Sequence, residues 1–161
     1  MARTATAWRK NVAGEIQPQR VRVLLAEDDE DLRHFLAKTL ARDGYAIIEV
    51  PDGSALLEYL GTVHLREGCT EPIDLIVADV QMPGFTGLQV LHGIRRSDWF
   101  TPVILITGYG TEAVQEEARR LGALALLNKP FDVDDLRTAI LNALPTSPGS
   151  DGRSGTDSPR H

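Results

Sequence analysis

Five short apolar runs recur along the chain, and none of them alternates strictly in polarity: VRVLLA (21–26), AIIEV (46–50), IDLIVA (73–78), PVILIT (102–107) and ALALLN (123–128). A strand with one face in water alternates apolar and polar residues, whereas a run that is apolar almost throughout is buried on both faces. Between the runs the spacing becomes helical. Leu32, Phe35, Leu36, Thr39 and Leu40 recur at helical intervals, and Gly44 stands where a helix C-cap belongs. GSALLEYL (53–60), TGLQVLHGIRR (86–96), TEAVQEEARRLG (111–122) and DVDDLRTAILNAL (132–144) supply four more helices. Leu88, Leu91 and Ile94 point inward in the third, Gly122 closes the fourth, and Asp132 and Asp135 sit at N-cap and N3 spacing in the fifth. Five strands alternating with five helices predict an α/β fold, a parallel sheet covered on both faces and wound by right-handed crossovers.

The ends differ from this middle. Residues 146–161 are mostly Ser, Gly, Pro and Asp, a composition too poor in apolar side chains to offset its ordering entropy, so a disordered C-terminal tail is expected there. Residues 1–19 read as a flexible N-terminal leader, leaving one domain over 20–145. Charge is divided in the same way. Residues 1–20 carry a net +3, residues 21–145 a net −9, and the whole chain −6. That balance argues against direct nucleic-acid binding and against an anionic membrane surface. The single cysteine, Cys69, allows no internal disulfide, and no apolar run approaches the ~18 residues of a membrane span, so a cytoplasmic location is expected.

In a parallel sheet covered on both faces, ligands bind beyond the carboxyl ends of the strands. The first strand ends in Glu27, Asp28 and Asp29, the third at Asp79, the fourth at Thr107 and Gly108, and the fifth at Asn128, Lys129 and Pro130. Singly these are ordinary. An aspartate after a strand commonly only caps the next helix, the role expected of Asp29. Together they bring acids, a hydroxyl and one lysine to a single rim. Carboxylates of Glu27, Asp28 and Asp79 within ~4–5 Å would repel by roughly 4 kcal/mol per pair at an effective dielectric of about 20. Such a set takes up protons or a cation, and oxygen ligands without His or Cys favour Mg2+. Beside a divalent ion Asp79 stays anionic and nucleophilic, while Lys129 adds a second positive point for a phosphoryl group.

The segments VLLAEDDEDLR, DLIVADVQMPGFTGLQVL, PVILITGYG and LNKPFDVDDL stand in this order over residues 21–144, about three-quarters of the chain. In this combination the chain resembles the receiver domain of bacterial response regulators, the CheY-like family of two-component systems. The resemblance implies a flavodoxin-like (βα)5 fold with strand order 2-1-3-4-5. It implies Asp79 as phospho-acceptor, with Glu27, Asp28, Asp79 and the main-chain carbonyl of Gln81 holding Mg2+. Lys129 would pair with the phosphoryl group, and Thr107 would be the switch hydroxyl. The phosphodonor would be a sensor histidine kinase or a histidine phosphotransfer protein, and the Lys129–Pro130 bond would be cis.

The reading that follows is a receiver without a separate catalytic domain, which accepts a phosphoryl group and assists its gain and loss. It would switch a downstream protein through the face of the fourth helix and fifth strand, over residues 108–128, a face that could also pair two copies. No room remains after Leu144 for a further domain, so a stand-alone receiver is expected. Leu126 stands where the family usually has its aromatic switch residue, and Tyr109 is the nearest substitute. The connection over 61–72 is long; it reads as a tolerated surface insertion, an extension of the second helix or a docking surface of its own. Two other readings exist. A degenerate receiver would only dock, independently of phosphorylation. An Asp-nucleophile phosphohydrolase would want a second aspartate where this chain has Gln81.

Overall fold

The computed structural model describes residues 6–11, 13–65 and 72–144. In chain order the elements are β1 (Thr6–Lys10), β2 (Ile16–Arg20), β3 (Arg22–Ala26), α1 (Glu30–Arg42), β4 (Ala46–Val50), α2 (Gly53–Leu65), β5 (Leu75–Asp79), α3 (Gly87–Arg96), β6 (Val103–Thr107), α4 (Glu112–Arg120), β7 (Ala125–Asn128) and α5 (Val133–Ala143). The five expected strands form one parallel sheet in the order β4-β3-β5-β6-β7, which is 2-1-3-4-5 when those five are counted alone. This is the flavodoxin-like arrangement.

Alternate residues of each central strand feed opposite faces, which is why the strands are apolar at nearly every position. Leu24, Ile76 and Leu105 pack with Leu56 and Leu60 of α2, Val90, Leu91 and Ile94 of α3 and Ala118 of α4. Val23, Leu25, Leu75, Val77, Ile104 and Ile106 pack on the other side with Leu36 and Leu40 of α1 and Leu136 and Ile140 of α5. Each fully buried Leu or Ile contributes about 1.5–3 kcal/mol. Two apolar layers therefore hold the sheet rigid, and with it the strand ends.

The helix starts are set by side-chain caps. Asp29 accepts the Leu32 N–H at 3.0 Å, Thr111 that of Val114 at 3.3 Å, and Asp132 that of Asp134 at 2.9 Å. The reciprocal capping box is complete at Thr86 and Gln89, where each side chain accepts the other's backbone N–H. Helix α2 runs on to Leu65, so the first part of the long connection does extend the second helix; residues 66–71, with Cys69, and the tail over 146–161 lie outside the described residues.

The N-terminal leader departs from expectation. Thr6–Lys10 and Ile16–Arg20 are not loose but form the antiparallel hairpin β1–β2, with Trp8 opposite Pro18 and Lys10 opposite Ile16. Asn11 makes its turn: its side-chain oxygen accepts the N–H groups of Ala13 and Glu15, both at 2.9 Å, and Gly14 takes φ +82°. The hairpin is pinned to the domain by the ion pair of Arg9 with Asp74, and Asp74 also accepts the Arg22 N–H at 2.8 Å.

Candidate functional site

The four strand ends β3, β5, β6 and β7 lie side by side, since register pairs Ala26 with Ala78, Asp79 with Ile106 and Thr107 with Asn128. Glu27 and Asp79 are almost wholly buried, at 1% and 2% exposure, while Asp28 is open to solvent. One carboxylate oxygen from each of Glu27, Asp28 and Asp79 lies within 4.8 Å of the others. Lys129 closes the cup. Its ammonium donates to Asp79 Oδ2 at 2.5 Å and stands 3.0 Å from Glu27 Oε2. The four residues named from the sequence as acid pocket and lysine are thus brought together.

The backbone around them is tied down. Glu27 Oε1 accepts the Asp29 N–H at 3.1 Å, and Asp79 Oδ1 accepts the Gln81 N–H at 2.9 Å. The Lys129 N–H donates to the Thr107 carbonyl at 2.7 Å, and the Lys129–Pro130 peptide is cis, as the resemblance implied. Burial pushes the Glu27 carboxyl up to about 7, against hydrogen bonds from Asp29 and Lys129 that favour its ionised form. Burial pulls the Lys129 ammonium down, yet its hydrogen bonds to Asp79 and Glu27 outweigh this and hold it above the usual lysine range.

Thr107 is fully buried at the end of β6, one strand from Asp79. Its hydroxyl donates to Gln81 Oε1 at 3.3 Å and accepts the Tyr109 N–H at 3.1 Å. Gln81 Oε1 also accepts the Gly108 N–H at 3.3 Å. The Gln81 side chain therefore ties the acid pocket to the loop that begins α4. Tyr109 itself is 75% exposed, and Leu126 is half-buried in a groove of about 390 Å³ between α4 and β7.

Two sets of contacts at the rim are not legible in the sequence. Arg33, one turn into α1, donates to the Glu27 carbonyl at 2.8 Å and so fixes the turn that carries the acids. Asn128 lies against Gly110, where a Cβ would stand 1.6 Å from its Oδ1, and Gln115 donates to the Gly110 carbonyl at 2.9 Å. The sequence signal for Arg33 was its position one turn beyond the cap Asp29; the packing of Asn128 against Gly110 had none.

The donor set is all oxygen, and one lysine faces three carboxylates. Glu27 Oε2 is buried, with the Lys129 ammonium 3.0 Å away. A hard divalent cation with oxygen preference fits such a set, and Glu27, Asp28 and Asp79 are the residues that would hold it.

The model of the response regulator receiver domain matches residues 23–141. The transcriptional regulatory protein TctD of Salmonella typhimurium is 35% identical over 129 residues, which cover 80% of this chain and 54% of TctD. The chain thus spans about half the length of that relative. The sporulation initiation phosphotransferase F of Bacillus subtilis is 29% identical over 124 residues, covering 77% of this chain and 94% of that protein. Among solved structures, the response regulator protein TrrA of Thermotoga maritima, in complex with Mg2+ and BeF, superposes with a TM-score of 0.65 at 26% identity, covering 77% of this chain and 99% of TrrA.

Proposed function

This chain belongs to the response regulator receiver domain family, and from that premise we propose that it is a phosphorylation switch with Asp79 as its acceptor. The observation that carries the reading is the cup itself, with three carboxylate oxygens within 4.8 Å and a lysine bonded to the buried one. A carboxylate oxygen of Asp79 attacks the phosphorus of a phosphohistidine on a sensor histidine kinase or a histidine phosphotransfer protein. The new O–P bond replaces the N–P bond, and the imidazole leaves with the electron pair. Mg2+ held by Glu27, Asp28, Asp79 and the Gln81 carbonyl would offset charge on the transferred group. That TrrA binds Mg2+ with BeF supports this assignment by analogy.

Lys129 moves with the charge. Bonded to Asp79 at rest, it is placed to pair with an oxygen of the phosphoryl group once Asp79 is esterified. Thr107 supplies the readout. Its hydroxyl leaves Gln81 for the phosphoryl oxygens, a bond to a charged group that contributes about 1.5–3 kcal/mol. That is enough to move a two-state loop by roughly ten- to a hundredfold. The loop over 108–111 and the α4–β7 face follow, and with them affinity for a downstream protein or a second copy.

Acetyl phosphate with Mg2+ tests this directly. The expected result is one added phosphoryl group by mass, absent in Asp79→Asn and without Mg2+, with amide shifts over residues 108–128. A phosphoryl group that persists in Asp79→Asn overturns the assignment; no phosphoryl group on either protein, with cup and fold intact, favours a receiver that only docks.

A further inference from the structure

The hairpin β1–β2 has two unlike faces. Ala7 packs against the core beneath α1 and α5, and Arg9, on the same side, bonds Asp74 and the Pro72 carbonyl. Residues alternate across a strand, and cross-strand partners share a face. Trp8 with Pro18, Lys10 with Ile16 and Thr6 with Arg20 therefore form the outer face. Trp8 is 49% exposed and Ile16 63%. Lys10 and Arg20 are exposed and make no ion pair among the described residues. An apolar centre flanked by two cations is thus presented to solvent.

A complementary surface exists at the opposite pole of the domain. The first turn of α1 carries Glu30 and Asp31, both exposed and without an ion pair among the described residues. Four residues past Asp31, on the same side of the helix, Phe35 is 54% exposed. This surface is an apolar residue flanked by two anions.

We propose that the outer face of the hairpin binds the start of α1 in a second copy of this chain. Within one copy the two surfaces do not meet. The hairpin is held at the start of β5 by Asp74, whereas α1 begins beyond the end of β3, a full strand length of about 16 Å away. The charge distribution favours the intermolecular pairing: residues 1–20 carry +3 and residues 21–145 carry −9, so each copy offers a cationic tab and an anionic acceptor. Lys10 and Arg20 face Glu30 and Asp31, and Trp8 meets Phe35. The contact joins two different patches, so it closes into a pair only if both patches engage reciprocally and otherwise extends into a chain of copies. It does not depend on phosphorylation of Asp79.

Sedimentation of the full unphosphorylated chain tests this. Self-association is expected at about 50 mM salt and strong weakening at about 500 mM, where exposed charges are screened. Trp8→Ala weakens it about thirtyfold, as truncation of an interface aromatic does. Charge reversal is the decisive arm, because hairpin variants alone could simply unfold the hairpin. Lys10→Glu with Arg20→Glu, and separately Glu30→Lys with Asp31→Lys, each abolish self-association, and mixing the two variants restores it. A wild-type chain that stays monomeric at low salt overturns the proposal. So does self-association that neither reversal affects, or a mixture that fails to associate.

Discussion

At Glu27 the structure sets a buried carboxyl beside a second one, Asp79, and balances both with the single ammonium of Lys129. Burial is the larger influence and carries the Glu27 carboxyl from 4.5 to about 7. The consequence for stability follows from proton linkage. Below pH 4.5 folded and unfolded chains both hold this proton; between 4.5 and about 7 only the folded chain does; above that neither does. Stability therefore falls as pH rises across this window, by a total on the order of 3 kcal/mol for this group. Denaturation of the metal-free chain in chelator, repeated at each pH, is expected to show that decline, and Glu27→Gln is expected to flatten it. A flat wild-type profile would mean that Lys129 already compensates the charge. The same residue shows why the pocket was legible in the sequence: Glu27, Asp79, Thr107 and Lys129 each end or follow an apolar run, so strand recognition alone placed them on one rim. The links made by Gln81 and Arg33 were not legible, because they depend on where flexible side chains point after the turns have formed.

The five strands of the parallel sheet lie within one or two residues of the bounds expected from the sequence, for the same physical reason: burial on both faces leaves a strand few polar positions, and a run of that kind has few alternatives. Boundaries shifted where turns intervene. The fifth strand was expected from residue 123 and begins at Ala125, because Ala123 and Leu124 still connect it to α4. Helix α2 holds an informative pair of glycines. Gly53 opens the helix against the loop after β5, where its N–H meets the Pro83 carbonyl at 3.3 Å and a Cβ would stand 1.8 Å from the Phe85 carbonyl oxygen. Gly61, eight residues on, has nothing within 4 Å of such a Cβ. Gly53→Ala forces backbone apart and is expected to destabilise by about 2–3 kcal/mol. Gly61→Ala is expected to stabilise by about 0.5–1 kcal/mol, since it only removes the entropy cost of glycine in a helix. Opposite signs from the same substitution in one helix, measured by urea denaturation, check that the start of α2 is a packing contact; equal effects would place both glycines in open surface.

Taken whole, the molecule joins a rigid receiver sheet to a hairpin that has no layer of its own. All five residues of β2 are exposed, Ala7 is the one hairpin side chain among the described residues that packs on the core clusters, and a two-stranded ribbon alone is marginal in water. This is also why the sequence does not announce the hairpin: neither strand is a continuous apolar run, and its anchor, Asp74, lies 65 residues from Arg9 in sequence. The hairpin should accordingly open independently of the domain. Arg9→Ala removes the ion pair while leaving Asp74 its bond to the Arg22 N–H, so β3 and β5 keep their register. The expected outcome is loss of amide-exchange protection over residues 6–20, with global stability unchanged within about 0.5 kcal/mol. If instead Arg9→Ala lowers global stability by several kcal/mol, then hairpin and sheet unfold together. The receiver core would in that case extend across Asp74 to the first strand of the chain.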